Sequence, residues 1–374
     1  MSSERRTGRL RPVLRCGVLL AAASIGLAAQ RAPSPALDNV TLQLRSVASA
    51  EFAGYYAAKA LGYYHDFGLD VAIKPGRPST TPEQVVAAGR AQIGVDWLPT
   101  VLAARDTGTD LVSIAQVFAR SAMTEIAWRS SGITSLGGLR NKRVGVWCCG
   151  NQLELYAALK KYGIDATNDK GIKIVNQPFN LNGFLHHDLD AAAALTYDQL
   201  SQVLEARNPQ TGRPYSAKDL TVFRLQKEGT GMLEDGMFTK RNWLDANRDV
   251  ATRFVAASDR GWIYCERHVA ECAAIVLRYA PTLDLGRQAW RLNAVNQLVW
   301  PNMHGIGVMD PAAFKRTASI ALQYKLLKSR PSGKAVDSRL PVEAIAYLKS
   351  QAEGIGVRGL GYRPITVRIL PRTR

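Results

Sequence analysis

The sequence has no long apolar run and none of the common motifs of nucleotide-binding or hydrolytic enzymes. Its apolar segment near the N-terminus, Cys16–Ala29, has 14 residues, fewer than the ~20 that a membrane-spanning helix needs. No Gly-x-Gly-x-x-Gly opens a helix after a predicted strand, and there is no Walker loop and no Gly-x-Ser-x-Gly elbow. His186 and His187 are adjacent, and adjacent residues rarely face one metal ion. We therefore expect no metal site.

The cysteines are few and badly spaced for crosslinks. Cys148 and Cys149 are adjacent in the chain, and disulfides between neighbours are rare. Cys265 and Cys272 fall in a stretch predicted as one helix, about 10 Å apart along its axis. That separation exceeds the reach of a disulfide. The sequence therefore predicts four small apolar thiols.

The first 29 residues have the layout of a secretory signal. An arginine-rich region that ends at Arg15 precedes the apolar segment, and Leu27-Ala28-Ala29 is an acceptable cleavage site. We expect residues 1–29 to be a signal peptide and the mature chain to be soluble and periplasmic. The alternative is an uncleaved anchor. Export, together with the missing catalytic motifs, favours a binding protein over an enzyme.

Basic residues exceed acidic ones throughout the chain. The net charge is +17, and 43 basic and 30 acidic residues remain after the first 29 are removed. Lysine and arginine are scattered and form no run of five or more, so we expect a basic surface and no nucleic-acid partner. The basic residues 351–374 are expected to form a loose tail.

Strands and helices alternate through the first half of the 374 residues. We predict one α/β unit over residues 40–127, a second over 128–225, and a mainly helical return over 226–350. The alternation favours parallel sheets covered on both faces. Thr81 and Asp310, each followed by proline, are predicted helix N-caps. Two such lobes would close on a ligand by a hinge.

Aromatic and carboxylate side chains follow several predicted strands. Open parallel sheets bind ligands at the carboxyl ends of their strands, and these residue types suit a flat ring with hydrogen-bonding groups. Tyr55, within the same stretch, is expected in the core. The predicted ligand-binding residues are Glu51, Phe52, Tyr56, Asp96, Trp97, Gly150, Asn151, Tyr197, Glu234 and Asp235.

Several segments in order resemble a known family. They are Glu51–Ala58 (EFAGYYAA), Gly62-Tyr63-Tyr64, Phe67–Val71, Val144–Trp147, Leu195-Thr196-Tyr197 and Leu233–Gly236. Over about residues 40–350 the chain is similar to the thiamine-pyrimidine-synthase-like, SsuA-like solute-binding proteins. The resemblance implies a type II periplasmic-binding-protein fold with two α/β lobes and a ligand cleft between them. It also implies the permease and ATPase of an ABC importer as partners, for a chain that we expect to be monomeric.

The family includes both binding proteins and enzymes. Its fungal members are single-turnover synthases that use pyridoxal phosphate and iron, and they need a lysine and a histidine four residues apart after the third strand. Asp96 and Thr100 stand at the matching positions, and Leu233–Phe238, where the iron motif should fall, has no cysteine. A Schiff base needs an amine, so the sequence predicts no cofactor and no synthase activity.

The chain departs from the pyrimidine binders as well. It has Arg45-Ser46-Val47-Ala48 after the first strand and Gln199 where a glutamate is common, which leaves the ligand open. Our leading hypothesis is a periplasmic binding component of an ABC importer for a small aromatic or heterocyclic nutrient, such as a thiamine-precursor pyrimidine. The alternatives are the synthase and a ligand-binding sensor module.

Overall fold

The structure is a computed structural model that describes residue 8 and residues 36–77, 79–168, 171–351 and 355–369. The chain divides into a segment of residues 1–35 and a compact unit of residues 36–374, and the fold is that of the second unit. Apart from Gly8, the predicted signal peptide lies outside the described residues. In the described part of the chain, no helix is long and apolar enough to cross a membrane.

Within the described residues, ten strands form two five-stranded sheets. The strands are β1 (Asp38–Gln43), β2 (Leu69–Lys74), β3 (Ile93–Trp97), β4 (Leu111–Gln116), β5 (Met123–Trp128), β6 (Arg143–Val146), β7 (Lys173–Asn176), β8 (Ala191–Leu195), β9 (Leu220–Arg224) and β10 (Asp235–Lys240). The first sheet has the order β2-β1-β3-β10-β4 and the second the order β7-β6-β8-β5-β9. The two predicted α/β lobes, each built on one sheet, are confirmed.

Each sheet contains one antiparallel strand, so the prediction of purely parallel sheets was wrong. In the first lobe β10 lies antiparallel between β3 and β4. In the second lobe β5 lies antiparallel between β8 and β9. The chain thus leaves the first sheet after Gln116 and returns to it at Asp235, and the segments 117–122 and 225–234 connect the lobes. β5 ends at Trp128, so the predicted boundary at residue 128 falls at the end of a strand of the second sheet.

Helices cover both sheets and continue after β10. They are α1 (Ala53–Ala60), α2 (Tyr63–Asp66), α3 (Pro82–Ala87), α4 (Leu98–Asp106), α5 (Leu153–Lys160), α6 (Asn182–Leu185), α7 (Gln199–Glu205), α8 (Arg241–Ala246), α9 (Arg248–Arg267), α10 (Val269–Tyr279), α11 (Leu285–Val299), α12 (Pro311–Gln323) and α13 (Leu340–Gln351). Both predicted N-caps are confirmed: Thr81 accepts a hydrogen bond from the backbone of Gln84 at 3.3 Å, and Asp310 accepts one from Ala312 at 2.8 Å.

Two glycines let α1 and α9 cross at close range in the first lobe. A Cβ on Gly54 would stand 2.2 Å from the ring of Trp262, and one on Gly261 would stand 2.0 Å from the carbonyl oxygen of Gly54. Neither distance leaves room for a larger residue. Tyr55 packs edge-on against Trp262 with 1% of its surface exposed, as the sequence predicted for a core residue. This crossing fixes the position of α1, the helix that follows β1 in the first lobe.

The four cysteines form two disulfides, so the prediction of free thiols was wrong. The predicted continuous helix ends at Arg267, and His268, with φ −115° and ψ 51°, turns the chain before α10 begins at Val269. This break brings the Cα atoms of Cys265 and Cys272 to 5.7 Å, within disulfide range. Cys148 and Cys149 are joined as neighbours, in the exposed loop between β6 and α5.

The described part of the C-terminal tail packs against α11. Ile365 N donates to Asn293 Oδ1 at 3.1 Å, and Tyr362 OH donates to the carbonyl oxygen of Asn293 at 3.4 Å. Residues 355–369 are therefore held to the first lobe by backbone and side-chain hydrogen bonds.

Candidate functional site

A cleft of about 600 Å³ lies where the carboxyl ends of strands from both sheets meet. From the first lobe it is lined by Arg45, which follows β1, and by Trp97 at the end of β3. From the second lobe it is lined by Trp147, which follows β6, and by Leu195 at the end of β8. Strand carboxyl ends are where open α/β sheets bind ligands.

Two other depressions are as large but lie elsewhere. One, of about 670 Å³, is formed by residues 156–168 and 323–325, and the other, of about 640 Å³, by residues 266–271 and 361–365. Neither is lined by the carboxyl end of a strand. Position therefore makes the cleft between the lobes the candidate functional site.

Arg45 is the centre of a hydrogen-bonded group in the cleft. Its Nη2 lies 2.7 Å from Glu51 Oε1, its Nε donates to Asp235 Oδ1 at 2.9 Å, and Nη2 also donates to Tyr197 OH at 3.1 Å. The guanidinium carbon lies 5.1 Å from the centroid of the Trp97 ring, a cation–π distance. Burial alone would lower the pKa of Arg45, but the carboxylates of Glu51 and Asp235 outweigh it and raise the pKa.

Asp96, beside Trp97 in the cleft, is a carboxyl group that keeps its proton at neutral pH. Burial and the neighbouring carboxyl of Glu83 raise the pKa of Asp96 to about 8. Its Oδ1 accepts a hydrogen bond from the backbone N–H of Trp97 at 2.7 Å. A protonated carboxyl can donate one hydrogen bond and accept another, so it suits a ligand with both kinds of group.

The second lobe presents an aromatic pair to the cleft. Trp147 and Phe179 stack with ring centroids 5.5 Å apart, and 70% of Phe179 is exposed. The loop that carries Phe179 is held in place: Trp147 Nε1 donates to the carbonyl oxygen of Pro178 at 3.2 Å, and Gln199 Nε2 donates to that of Phe179 at 3.4 Å. A glutamate at position 199 would lack this donor. The structure thus gives Gln199 a role in positioning Phe179.

Side chains of α11 reach across to the second lobe. Arg291 donates to the carbonyl oxygen of Tyr197 at 3.2 Å and forms an ion pair with Asp198, which lines the cleft. One turn earlier, Arg287 lies 2.6 Å from Glu205 at the other end of α7. Tyr197 and Arg45 add a further contact between the lobes.

Buried carboxyl groups also join the two segments that connect the lobes. Ser121 Oγ contacts Glu154 Oε2 at 2.7 Å and Glu234 Oε1 at 3.1 Å, and Ala122 N donates to Glu234 Oε1 at 2.6 Å. Glu154 Oε1 accepts from Met232 N at 2.8 Å. Burial raises the pKa of both acids, that of Glu154 to about 8. This cluster ties α5 of the second lobe to both connecting segments.

Six of the ten predicted ligand-binding residues lie in or directly behind the cleft. Four line it, namely Glu51, Asp96, Trp97 and Asn151. Tyr197 and Asp235 contact Arg45 from behind and are at most 2% exposed. These residues were named because they follow predicted strands, and the carboxyl ends of strands from both sheets meet at this cleft.

The other four lie outside the lining. Phe52 is fully buried, and Tyr56 is 2% exposed and stacks on Tyr279 with centroids 4.5 Å apart. Glu234 belongs to the connecting segments. The N–H of Gly150 donates to Gln152 Oε1 at 3.0 Å instead of pointing freely into the cleft.

Sequence reasoning missed Arg45, Trp147, Phe179 and Arg291. Arg45 and Trp147 stand directly at strand ends and could have been found by the same rule. In the sequence, the only signal at Phe179 is its place in a polar turn. Arg291 lies on α11, far along the chain from the strand ends that line the cleft. Among the described residues, no group of three or more histidine, cysteine, aspartate or glutamate side chains is arranged to hold a metal ion.

Known proteins similar to this chain include an enzyme and binding proteins. The chain is 24% identical over 250 residues to 4-amino-5-hydroxymethyl-2-methylpyrimidine phosphate synthase of Candida albicans, covering 66% of this chain and 73% of that protein. It is 23% identical over 306 residues to the riboflavin-binding protein RibY of Chloroflexus aurantiacus, covering 79% and 83%.

The fold matches that of a solved binding protein. The periplasmic aliphatic sulphonate binding protein SsuA of Escherichia coli superimposes with a TM-score of 0.60 at 15% identity, over 79% of this chain and 95% of that one. The two lobes therefore have the type II periplasmic-binding-protein fold that the sequence predicted. Residues 49–271 match the family model described as NMT1/THI5 like. The chain belongs to the NMT1/THI5-like family.

Proposed function

We propose that the chain is the solute-binding component of an ABC importer and captures a small aromatic or heterocyclic compound in the cleft between its lobes. The observation that carries this proposal is that both lobes line the cleft with aromatic side chains. Trp97 comes from the first lobe, and Trp147 with Phe179 from the second. Closure of the lobes around a flat ring would cover it on both faces, an arrangement that aromatic stacking favours.

The exposure of Phe179 supports a ligand at this position. Leaving a phenylalanine side chain in water costs about 1.5–3 kcal/mol relative to burial, yet Phe179 is 70% exposed on a loop held by Trp147 and Gln199. Phe179 lines the cleft, and aromatic side chains that line a cleft are typical of sites for small organic ligands. The remaining cleft residues that we assign to the ligand are Glu51, Asp96 and Asn151, with Arg45 as their neighbour.

A panel of small solutes tests the proposal directly. The panel contains riboflavin, 4-amino-5-hydroxymethyl-2-methylpyrimidine, methanesulfonate and nitrate, each screened by thermal shift and then titrated by calorimetry. A heterocycle at 100 times its dissociation constant should stabilise the fold by about 2.7 kcal/mol. If neither heterocycle stabilises the protein or releases heat, the proposed ligand class is wrong. Loss of cellular uptake of the bound solute when the chain is deleted tests its role in import.

The likeness to the Candida albicans synthase raises a second function, pyrimidine synthesis with pyridoxal phosphate. The residues at the matching position do not fit that cofactor. Asp96 offers a protonated carboxyl, and Thr100 donates its hydroxyl to the carbonyl oxygen of Trp97 at 2.6 Å, so neither supplies the amine of a Schiff base. Incubation with pyridoxal phosphate should give no imine absorption band, and an imine band at one equivalent would restore the enzyme hypothesis.

A further inference from the structure

We infer that the cleft selects solutes by charge: it takes uncharged or cationic compounds that carry N–H groups and rejects oxyanions such as sulfonates and nitrate. The inference rests on the proposed function of the same site and narrows its ligand class. It is drawn from the pairing of Arg45 and from the carboxyl groups around it.

The cation best placed to bind an anion is already neutralised. Arg45 is the guanidinium at the floor of the cleft, and it contacts Glu51 at 2.7 Å, Asp235 at 2.9 Å and Tyr197 at 3.1 Å. Even with a proton on Asp235, the carboxylate of Glu51 balances the charge of Arg45. The face of the guanidinium is covered by Trp97. An incoming oxyanion would therefore meet a guanidinium whose charge is already balanced by a carboxylate of the fold.

The other basic groups nearby do not replace Arg45. Arg291 is engaged by Asp198 and by the carbonyl oxygen of Tyr197. Arg77 lies at the outer rim of the cleft and is exposed to solvent, where a charge attracts an anion only weakly.

Two carboxylates also line the cleft. They belong to Glu51 and Asp198, and an ionised carboxylate accepts hydrogen bonds without donating any. A second buried oxygen of Asp235, Oδ2, has no hydrogen-bond partner among the described residues. Carboxylates around a cleft repel a bound anion, and more strongly when water is excluded. These groups match the amino and ring N–H groups of a heterocycle and repel an anion.

Glu51→Gln tests the inference, because it removes one negative charge and leaves a side chain of the same shape. In the wild-type protein, methanesulfonate and nitrate should give no measurable heat by calorimetry. In Glu51→Gln the freed Arg45 N–H should bind methanesulfonate at least about tenfold more tightly than wild type, since charge-assisted hydrogen bonds are the strong ones.

The matched control is Glu343→Gln, which breaks a comparable pair with Arg248 (2.9 Å) on the outer surface and should leave anion binding unchanged. Thermal melting of each variant reports whether it folds. The inference is overturned if wild type binds methanesulfonate or nitrate as tightly as a heterocycle. It is also overturned if folded Glu51→Gln gains no anion affinity. Titrations with methanesulfonate and nitrate test the inference. Titrations with the heterocycles test the proposed function, so the two failures can be told apart.

Discussion

Arg287 and Glu205 form an ion pair between the two lobes, with Arg287 Nε on α11 lying 2.6 Å from Glu205 Oε1 on α7. Arg291, one helical turn later, holds Asp198 at the start of the same helix. The two arginines thus contact both ends of α7 and bridge the two lobes.

Removing this pair of contacts should favour a more open arrangement. Arg287→Ala combined with Arg291→Ala deletes both interlobe ion pairs, and we expect a larger radius of gyration in small-angle scattering of the ligand-free protein. We also expect faster release of a bound solute, because the closed state loses support. Arg253→Ala is the control, since Arg253 pairs with Asp38 and Asp249 within the first lobe. An unchanged scattering profile in the double variant would show that these ion pairs do not hold the lobes.

Phe179→Ala should separate binding from stability. The side chain is 70% exposed, so its removal should change the free energy of unfolding by less than about 0.5 kcal/mol. Its stacking on a bound ring should be lost, which lowers affinity by about tenfold. Urea denaturation and calorimetric titration measure the two quantities. Ile365→Ala, 52% exposed on the tail, is the control that should alter neither, and equal affinity of Phe179→Ala and wild type would remove Phe179 from the site.

The stability of the fold should fall as the pH rises through neutrality. Burial raises the pKa of Asp96 and of Glu154 to about 8, whereas both groups ionise near pH 4 when the chain is unfolded. The folded protein therefore retains protons that the unfolded chain releases. The contribution of each protonated carboxyl to the free energy of unfolding is complete below about pH 4. It is lost as the pH approaches about 8, at up to about 1.4 kcal/mol per pH unit for each group.

Glu154→Gln should make this decline shallower. Glutamine does not titrate, and its amide can still accept from Met232 N and donate to Ser121 Oγ. Urea denaturation between about pH 5 and about pH 8 measures the slope. The exposed Glu343→Gln should keep the wild-type slope. A Glu154→Gln slope equal to wild type would mean that Glu154 is ionised in the fold.

The two disulfides should differ in their contribution to stability. Cys265 and Cys272 are fully buried and close a short loop across the break between α9 and α10, so their joint replacement by alanine should lower the free energy of unfolding by about 2–3 kcal/mol. Cys148 and Cys149 are adjacent and exposed, so their bond constrains almost no chain. Replacing them by serine should cost less than about 1 kcal/mol. Urea denaturation of both variants compares them, and equal losses would contradict this assignment.

Local patterns predicted most of the strands and helices of the two lobes, but not their order within each sheet. β2, Leu69–Lys74, can be recognised from the sequence because its alternation and its flanking turns are local signals. The place of β10 between β3 and β4 depends on pairing with residues more than a hundred positions earlier, and no local pattern reports such pairing. The break at His268 also carries no proline or glycine to announce it.

The site was predictable to the extent that strand ends determine it. Asp96 and Trp97 were found because they end β3. The role of Arg45 depends on Asp235, 190 residues away in the chain, and no local pattern reports such a contact. For the same reason Phe52 and Tyr56, which share a helical face with apolar neighbours, could not be assigned to core or cleft before the packing of α1 on α9 and α10 was known.

The position of β10 has a consequence for how the chain is made. β4 is an edge strand whose neighbour in the sheet is β10, and its six residues are all buried in the finished protein. During synthesis these residues emerge well before residue 235, and in the interval they have no strand to pair with. The second sheet, by contrast, is complete once residue 224 has been made. Because domains fold as units from the N-terminus as they emerge, the lobe that begins first is the one that is finished last.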